Sequence, residues 1–319
     1  MSTDYLHTHK EFPQLLNIIA EKMGVIPQLV EKDYWIMHVL YGIKKQGFEF
    51  QLKGGTSLSK GYKIIDRFSE DIDIHIQPSS EQNVETNPKK IKPSHVQSRA
   101  YYYDWLSKNI RIDGIVSIKR DLEFDDEQGY FRSGGIRLLY KSVSESVGGV
   151  KEGILLEVGF DTVTPNTPLT ISSWTFDKAN STKGIEIIDN RASDIACYHL
   201  GYTFVEKLQT VATKFRQEQE TRIERPNLMR QYYDLYSLLN NEEVKRFIGT
   251  EEYKAHKDVR FNKTDKAIQI AENEAYKLSD PEIRARFTKR YKTTAKLYYN
   301  GQPDFDAVLG RIHEYLDQL

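Results

Sequence analysis

The sequence predicts an α+β protein, a mixed sheet with flanking helices followed by a C-terminal helical domain. Three observations carry this. Apolar residues at helical spacing fill residues 12–45 and return after Arg191. Strand-like segments separated by Gly, Pro, Asn and Asp turns fill residues 112–188. Between them, residues 52–76 (LKGGTSLSKGYKIIDRFSEDIDIHI) set a Gly-Gly turn ahead of an acidic strand. At 319 residues the chain is long enough for two domains, expected at 1–190 and 191–319, the second closing a cleft on the first.

Two helices open the chain, Phe12 to Met23 and Pro27 to Lys45. Pro27 suits a first helical turn, and Val30, Tyr34, Met37 and Tyr41 form an apolar stripe. Glu31, Lys32 and Asp33 are consecutive and cannot share one helix face; they are either solvated or one or more of them buttress the candidate active-site strands, while Trp35 reads as core. Phe48 to Lys53 alternates as a strand, and Gly54-Gly55 allows a tight turn before Thr56 caps the next helix. The polar, proline-bearing run from Gln77 to Pro93 reads as a loop. Ser94 to Ile110 is then a helix with Ser94 as its cap and Val96, Ala100, Tyr103 and either Leu106 or Ser107 inward.

The strand texture follows as GIVSIKRDLEF, YFRSGGIRLLYKSV, GILLEVGFDT, TISSWTF and GIEIID, with Gly148-Gly149 turning between two of them. From Arg191 the chain reads as helical, capped by Ser193 or Asp194 and running through Arg216, with Lys207 and Lys214 two turns apart on one face. The last third, 251–319, is helical and polar, with breaks at Pro281 and at residues 300–303.

The net charge of −1 advertises no whole-protein attraction to nucleic acid, so any basic surface must be local. No apolar run approaches the length that spans a bilayer, and the N-terminus lacks a signal-peptide apolar region. The single cysteine, Cys197, excludes an intramolecular disulfide, and the expected compartment is the cytoplasm.

Chemistry concentrates in residues 52–76. Asp71, Asp73 and His75 share one face of a strand and Ile72, Ile74 and Ile76 the other, which sets the two carboxylates roughly 6 to 7 Å apart along it. Hard-oxygen donors of this kind suit Mg2+ or Mn2+, which take one or two carboxylates and complete their shell with water and substrate phosphate. Gly54, Gly55, Thr56 and Ser57 read either as a plain turn or as an anion site at a helix start, with the two hydroxyls as extra donors to a triphosphate. Glu157 is a carboxylate alone on a strand face and the candidate third acid, with Asp161 its competitor. Lys207 and Lys214 are candidate phosphate ligands. Between Arg284 and Lys296 lie six basic and no acidic residues, interleaved with Phe287 and Tyr291. Arg286, Lys289, Arg290 and Lys292 there form either an RNA-binding surface or one face of an amphipathic helix.

KGGTSLSK followed by RFSEDIDI resembles the AbiEii/AbiGii toxin family within the polymerase-beta-type nucleotidyltransferase superfamily, and residues 30–35 (VEKDYW) resemble that family's N-terminal signature. Glu206-Lys207-Leu208 is similar to a family helix. Residues 230–236 (RQYYDLY) resemble a motif ending in Asp-Leu-Tyr, although Gln231 stands where an acid often follows the arginine, which leaves Asp234 either as the acid carried over or as a buried Asp capping or pairing with an arginine. The resemblance implies a nucleotidyltransferase palm with Asp71, Asp73 and Glu157 as metal-binding acids, and Lys207 and Asp234 as further catalytic residues. It also implies a toxin that moves a nucleotide from an NTP to RNA, with the 3′ end of transfer RNA as the expected acceptor, countered by a separate antitoxin protein. The rival expectations are transfer to a protein or small molecule, and a non-catalytic NTP- or RNA-binding module.

Overall fold

The computed structural model describes residues 4–126, 128–145, 150–182, 184–225 and 227–319, and the chain divides into two compact units. The first comprises Met1–Tyr62 and Phe68–Tyr198, the second Lys63–Arg67 and His199–Leu319. The expected Gly148-Gly149 turn lies outside the described residues.

The first unit carries a seven-stranded sheet. Its strands are β1 (Phe50–Lys53), β2 (Asp71–Ile76), β3 (Ile115–Asp121), β4 (Ser133–Tyr140), β5 (Ile154–Gly159), β6 (Asn166–Ile171) and β7 (Ala192–Tyr198), in the order β3-β4-β5-β2-β1-β7-β6. β2 runs parallel to β5 and β1 parallel to β7, while the other neighbours are antiparallel, so the sheet is mixed. Alternation gives it an apolar face: Leu52, Ile72, Ile74, Ile136, Leu138, Ile154 and Leu156 are all fully buried.

The flanking helices are α1 (Phe12–Met23), α2 (Pro27–Lys45), the single turn α3 (Gly54–Thr56) that continues as wider turns over Ser57–Gly61, α4 (Pro93–Asn109) and α5 (Trp174–Asn180). α2 is buried almost all round, Glu31, Lys32 and Asp33 included, so none of those three is solvated. Each is satisfied by a different segment. Glu31 accepts hydrogen bonds from the Ser142 hydroxyl and from the backbone N–H groups of Val143 and Ser144. Lys32 pairs with Glu70 at 3.3 Å, and Asp33 takes both the Lys60 ammonium and the Trp174 N–H. Buried charges persist only when paired or hydrogen-bonded, and these three pin the segment after β4, the approach to β2, the Gly54–Gly61 turns and α5 to one helix.

Four local expectations fail, each for a definable reason. Thr56 is not a cap: the helix starts at Gly54, behind Lys53. Ser94 is not a cap either, because Pro93 occupies the first turn behind Lys92. TISSWTF is only half strand. The Ser173 hydroxyl accepts from Phe176 N–H, ending β6 and starting α5. GIEIID forms no strand beyond an isolated bridge between Ile187 and Asp4. The largest departure is at residues 192–198, which are strand β7 rather than the first turns of a helix. A register shift against β6 and the positive φ of 52° at Asp194 break the two-residue alternation, so the sequence pattern there mimics a helix. The helix begins at Leu200, with the His199 ring accepting from Gly201 N–H.

The second unit is helical: α6 (Leu200–Thr221), α7 (Leu228–Leu239), α8 (Glu242–Phe247), α9 (Glu251–Arg260), α10 (Lys263–Lys266), α11 (Glu274–Lys277), α12 (Pro281–Thr293) and α13 (Phe305–His313). Phe204, Leu208, Val211, Leu235, Leu238, Phe287, Phe305 and Leu309 fill its core. Two buried tyrosines lock helices together through their hydroxyls, Tyr232 to the Ala275 carbonyl at 2.6 Å and Tyr276 to the Leu208 carbonyl at 2.7 Å.

Candidate active site

Strand register brings the predicted acids together. Asp73 of β2 lies directly opposite Glu157 of the parallel β5 and opposite Lys53 of the antiparallel β1, so these three form one rung across the sheet, with Asp71 two residues along on the same face. The face is half-buried at Asp71, Asp73, His75 and Glu157, against fully buried isoleucines behind it. Asp161 lies beyond the end of β5, so it does not share the rung.

The electrostatics are those of crowded like charges. Burial raises Glu157 well above the usual carboxylate range. Asp73 and Asp71 push it further, and Lys53 partly opposes them. Burial also raises Asp71, with Asp73 and Glu70 adding to the effect. Among the described residues no group of three Cys, His, Asp or Glu side chains forms a ready-made metal cage. What the rung offers is a pair of facing carboxylates with a third beside them. This donor set fits a hard divalent cation that brings its own waters and phosphate oxygens.

The Gly54 turn is built against this rung. Gly54 has φ +72°, and a Cβ placed there would meet Asp73 Oδ2 at 2.1 Å, so the backbone and the carboxylate are in near contact. The hydroxyls behave differently from expectation. Thr56 Oγ1 donates to the Asp71 carbonyl and is fully buried, and Ser57 is equally buried, which leaves Gly54 as the half-exposed residue of the turn. The Thr56 bond ties the turn to the start of β2.

Lys207, Gln231 and Asp234 meet in the second unit. Asp234 is fully buried and receives the Arg67 guanidinium through two 2.7 Å bonds and the Lys207 ammonium at 2.8 Å. Lys207 also donates to the Gln231 side-chain oxygen at 2.8 Å. Burial alone would raise Asp234, but the two cations outweigh it and hold the group below the usual range. Lys207 is therefore committed to Asp234 in this structure, and a phosphate would have to share or displace that pairing. Lys214 lies two turns along α6, half-buried. Gln231, where the resemblance expects an acid, serves as a neutral acceptor for Lys207.

Sequence reasoning missed Arg67, Lys60 and Glu70. All three lie inside the quoted motif stretch, and asking what would neutralise Asp234, Asp33 and Lys32 was the available signal.

A family model described as nucleotidyl transferase AbiEii toxin, of type IV toxin–antitoxin systems, matches residues 39–311. The chain belongs to this AbiEii family. It is accordingly a nucleotidyltransferase of a toxin–antitoxin family. No curated protein matches the chain. Among solved structures it is similar to an antigenic nucleotidyltransferase-like protein from Paracoccidioides brasiliensis, at 11% identity, covering 73% of this chain and 94% of that one with a TM-score of 0.37, a likeness too slight to carry argument. Among the described residues no helix is long and apolar enough to cross a membrane.

The basic strip of α12, read from the sequence as either an RNA surface or one face of an amphipathic helix, has part of its charge taken up within the fold. Phe287 and Tyr291 are core residues, unavailable for stacking on bases. Arg290 is bound to Glu218 at 2.8 and 2.9 Å, and Arg284 to Asp306 at 2.7 Å. Arg286, Lys289, Lys292 and Lys296 remain exposed. Buried Glu218 of α6 and exposed Asp306 of α13 pair with the other two cations, which spacing within one helix could not reveal.

Proposed function

We propose that the protein transfers a nucleotide from an NTP to an acceptor RNA, with the 3′ end of transfer RNA as the expected acceptor, in a reaction assisted by Mg2+ or Mn2+. The reading includes a separate antitoxin protein as its counterweight and the cytoplasm as its compartment. The observation that carries it is the rung of Asp73 and Glu157, with Asp71 beside it, built against a turn that begins at the half-exposed Gly54.

In this reading Asp71 and Asp73 hold the divalent cation. When bound, the metal supplies charge neutralisation at the phosphates. The backbone N–H groups of residues 54–57 orient the triphosphate. Glu157, its carboxylate restored once a bound cation offsets the burial and crowding that raise it, orients the attacking hydroxyl and accepts its proton. The hydroxyl oxygen bonds to the α-phosphorus as the bond to the bridging oxygen breaks, and that electron pair leaves on pyrophosphate.

The test is incubation with each labelled NTP and total cellular RNA, for wild type and for Asp73→Ala. Label in RNA from wild type alone supports the reading. Label in protein or in small molecules moves the acceptor, and no label anywhere leaves a binding module.

A further inference from the structure

The expected phosphate cation, Lys207, is spent on Asp234, and the lysines that anchor the fold near the acids are spent as well, Lys32 on Glu70 and Lys60 on Asp33. One lysine stands differently. Lys53 occupies the same rung as Asp73 and Glu157, directly opposite Asp73, in extended backbone (φ −131°, ψ −173°) that keeps its side chain on their face. It is half-exposed and enters no ion pair among the described residues. It also immediately precedes Gly54, so one peptide joins this cation to the turn that approaches Asp73.

We propose that Lys53 is the phosphate-neutralising cation of the transfer site, contacting the non-bridging oxygens of the NTP triphosphate between the acid rung and the Gly54–Gly55 turn. This rests on the nucleotidyl-transfer reading above. The geometry has a consistent electrostatic trace. The Lys53 charge reaches Glu157, where it opposes the burial that raises that acid, and His75, where it adds to the burial that depresses the ring. A free ammonium among like-charged carboxylates is held there by its strand and lacks a strong bond of its own. Incoming phosphate oxygens would provide one, at a position where charge builds as pyrophosphate departs with the electron pair of the broken bond.

The test uses the full chain with Lys53→Met, Lys53→Arg and Asp73→Asn, each checked for an unchanged unfolding midpoint. Two quantities are read: binding of the α,β-methylene analogues of ATP, GTP, CTP and UTP by calorimetry, and inhibition of transfer by inorganic pyrophosphate. Lys53→Met is expected to weaken analogue binding and pyrophosphate inhibition by about tenfold or more, with Lys53→Arg restoring both to within a few-fold. A merely structural lysine would not give parallel losses on analogue and pyrophosphate with rescue by arginine. If Lys53→Met binds the analogue as wild type does while Asp73→Asn has lost transfer, Lys53 is not a phosphate ligand and the transfer reading stands. If wild type neither binds an analogue nor transfers, the reading and the proposal fall together.

Discussion

Replacing Gly54 by alanine separates backbone strain from damage to the site. The residue has φ +72°, where an L side chain costs about 1 to 2 kcal/mol. Its new Cβ would also fall 2.1 Å from Asp73 Oδ2 and 3.0 Å from Asp73 Cγ, so the carboxylate must swing away. That swing moves the end of a short side chain, and the hydrogen bond it gives up with Glu157 is offset by relief of crowding between like charges. For chemistry it is expensive, since a displacement of about 1 Å at a reacting centre costs roughly a hundredfold in rate. Gly24 is the control: it ends α1 at φ +65°, and a Cβ there meets nothing within 4 Å. Urea unfolding of Gly54→Ala and Gly24→Ala should give similar losses of about 1 to 2 kcal/mol. Transfer kcat/KM should fall about a hundredfold for Gly54→Ala and stay within twofold of wild type for Gly24→Ala. Wild-type turnover by Gly54→Ala would refute the placement of Asp73 as a working ligand.

Asp234→Ala strands the Arg67 and Lys207 charges in the interior and should cost about 3 to 5 kcal/mol by chemical denaturation; Lys214→Ala should leave the same midpoint nearly unmoved. Lys207→Ala keeps the Arg67 pair, so a loss of NTP turnover well beyond that of Lys214→Ala would give Lys207 a role besides neutralising Asp234. In the first unit, burial depresses His38 and His7 to about 4; His38 donates to the Asp113 carbonyl, accepts from Asn190 and lies near Lys45, and its charge presses on His7. An unfolded histidine takes its proton near pH 6.5 and these rings do not until about 4, so their contribution is whole above 6.5 and is lost as pH falls towards 4. His38 accounts for at most about 3 kcal/mol of this, and the more exposed His7 for less. Buried Asp71 and Glu157 act in the opposite sense, so the measurement is the difference in unfolding free energy between wild type and His38→Gln from pH 7 to 4, which should shrink with acid. On α12, Arg286→Gln, Lys289→Gln and Lys292→Gln together should lower RNA affinity and its salt slope if this surface binds RNA, whereas Arg290→Gln should act on stability through Glu218.

The sheet's central rung was legible because alternation in DIDIHI and GILLEVGF assigns faces without any tertiary information, and both helices before β1 begin and end where their apolar spacing and prolines place them. What failed was whatever depends on a bulge or a competing cap. The register shift at Ser193–Asp194 hid β7, and the Ser173 hydroxyl turned an apparent strand into α5.

Charged side chains were hardest to place, because a sequence shows a charge and not its partner. Lys207, Arg290 and Arg284 looked available and are all claimed by acids remote in sequence, at Asp234, Glu218 and Asp306. Glu31, Lys32 and Asp33 could be either solvated or buttressing from the sequence, and they are fully buried, each fixing a separate segment. Lys53 opens the KGGTSLSK motif, yet the sequence assigned it no role, since it sits in a strand and belongs to no charge run. It matters because pairing across β1, β2 and β5 sets an unspent cation level with two acids. Which cations in such a chain can meet a phosphate is thus decided by a subtraction, total charge less the ion pairs that folding consumes, and only the folded structure supplies the second quantity.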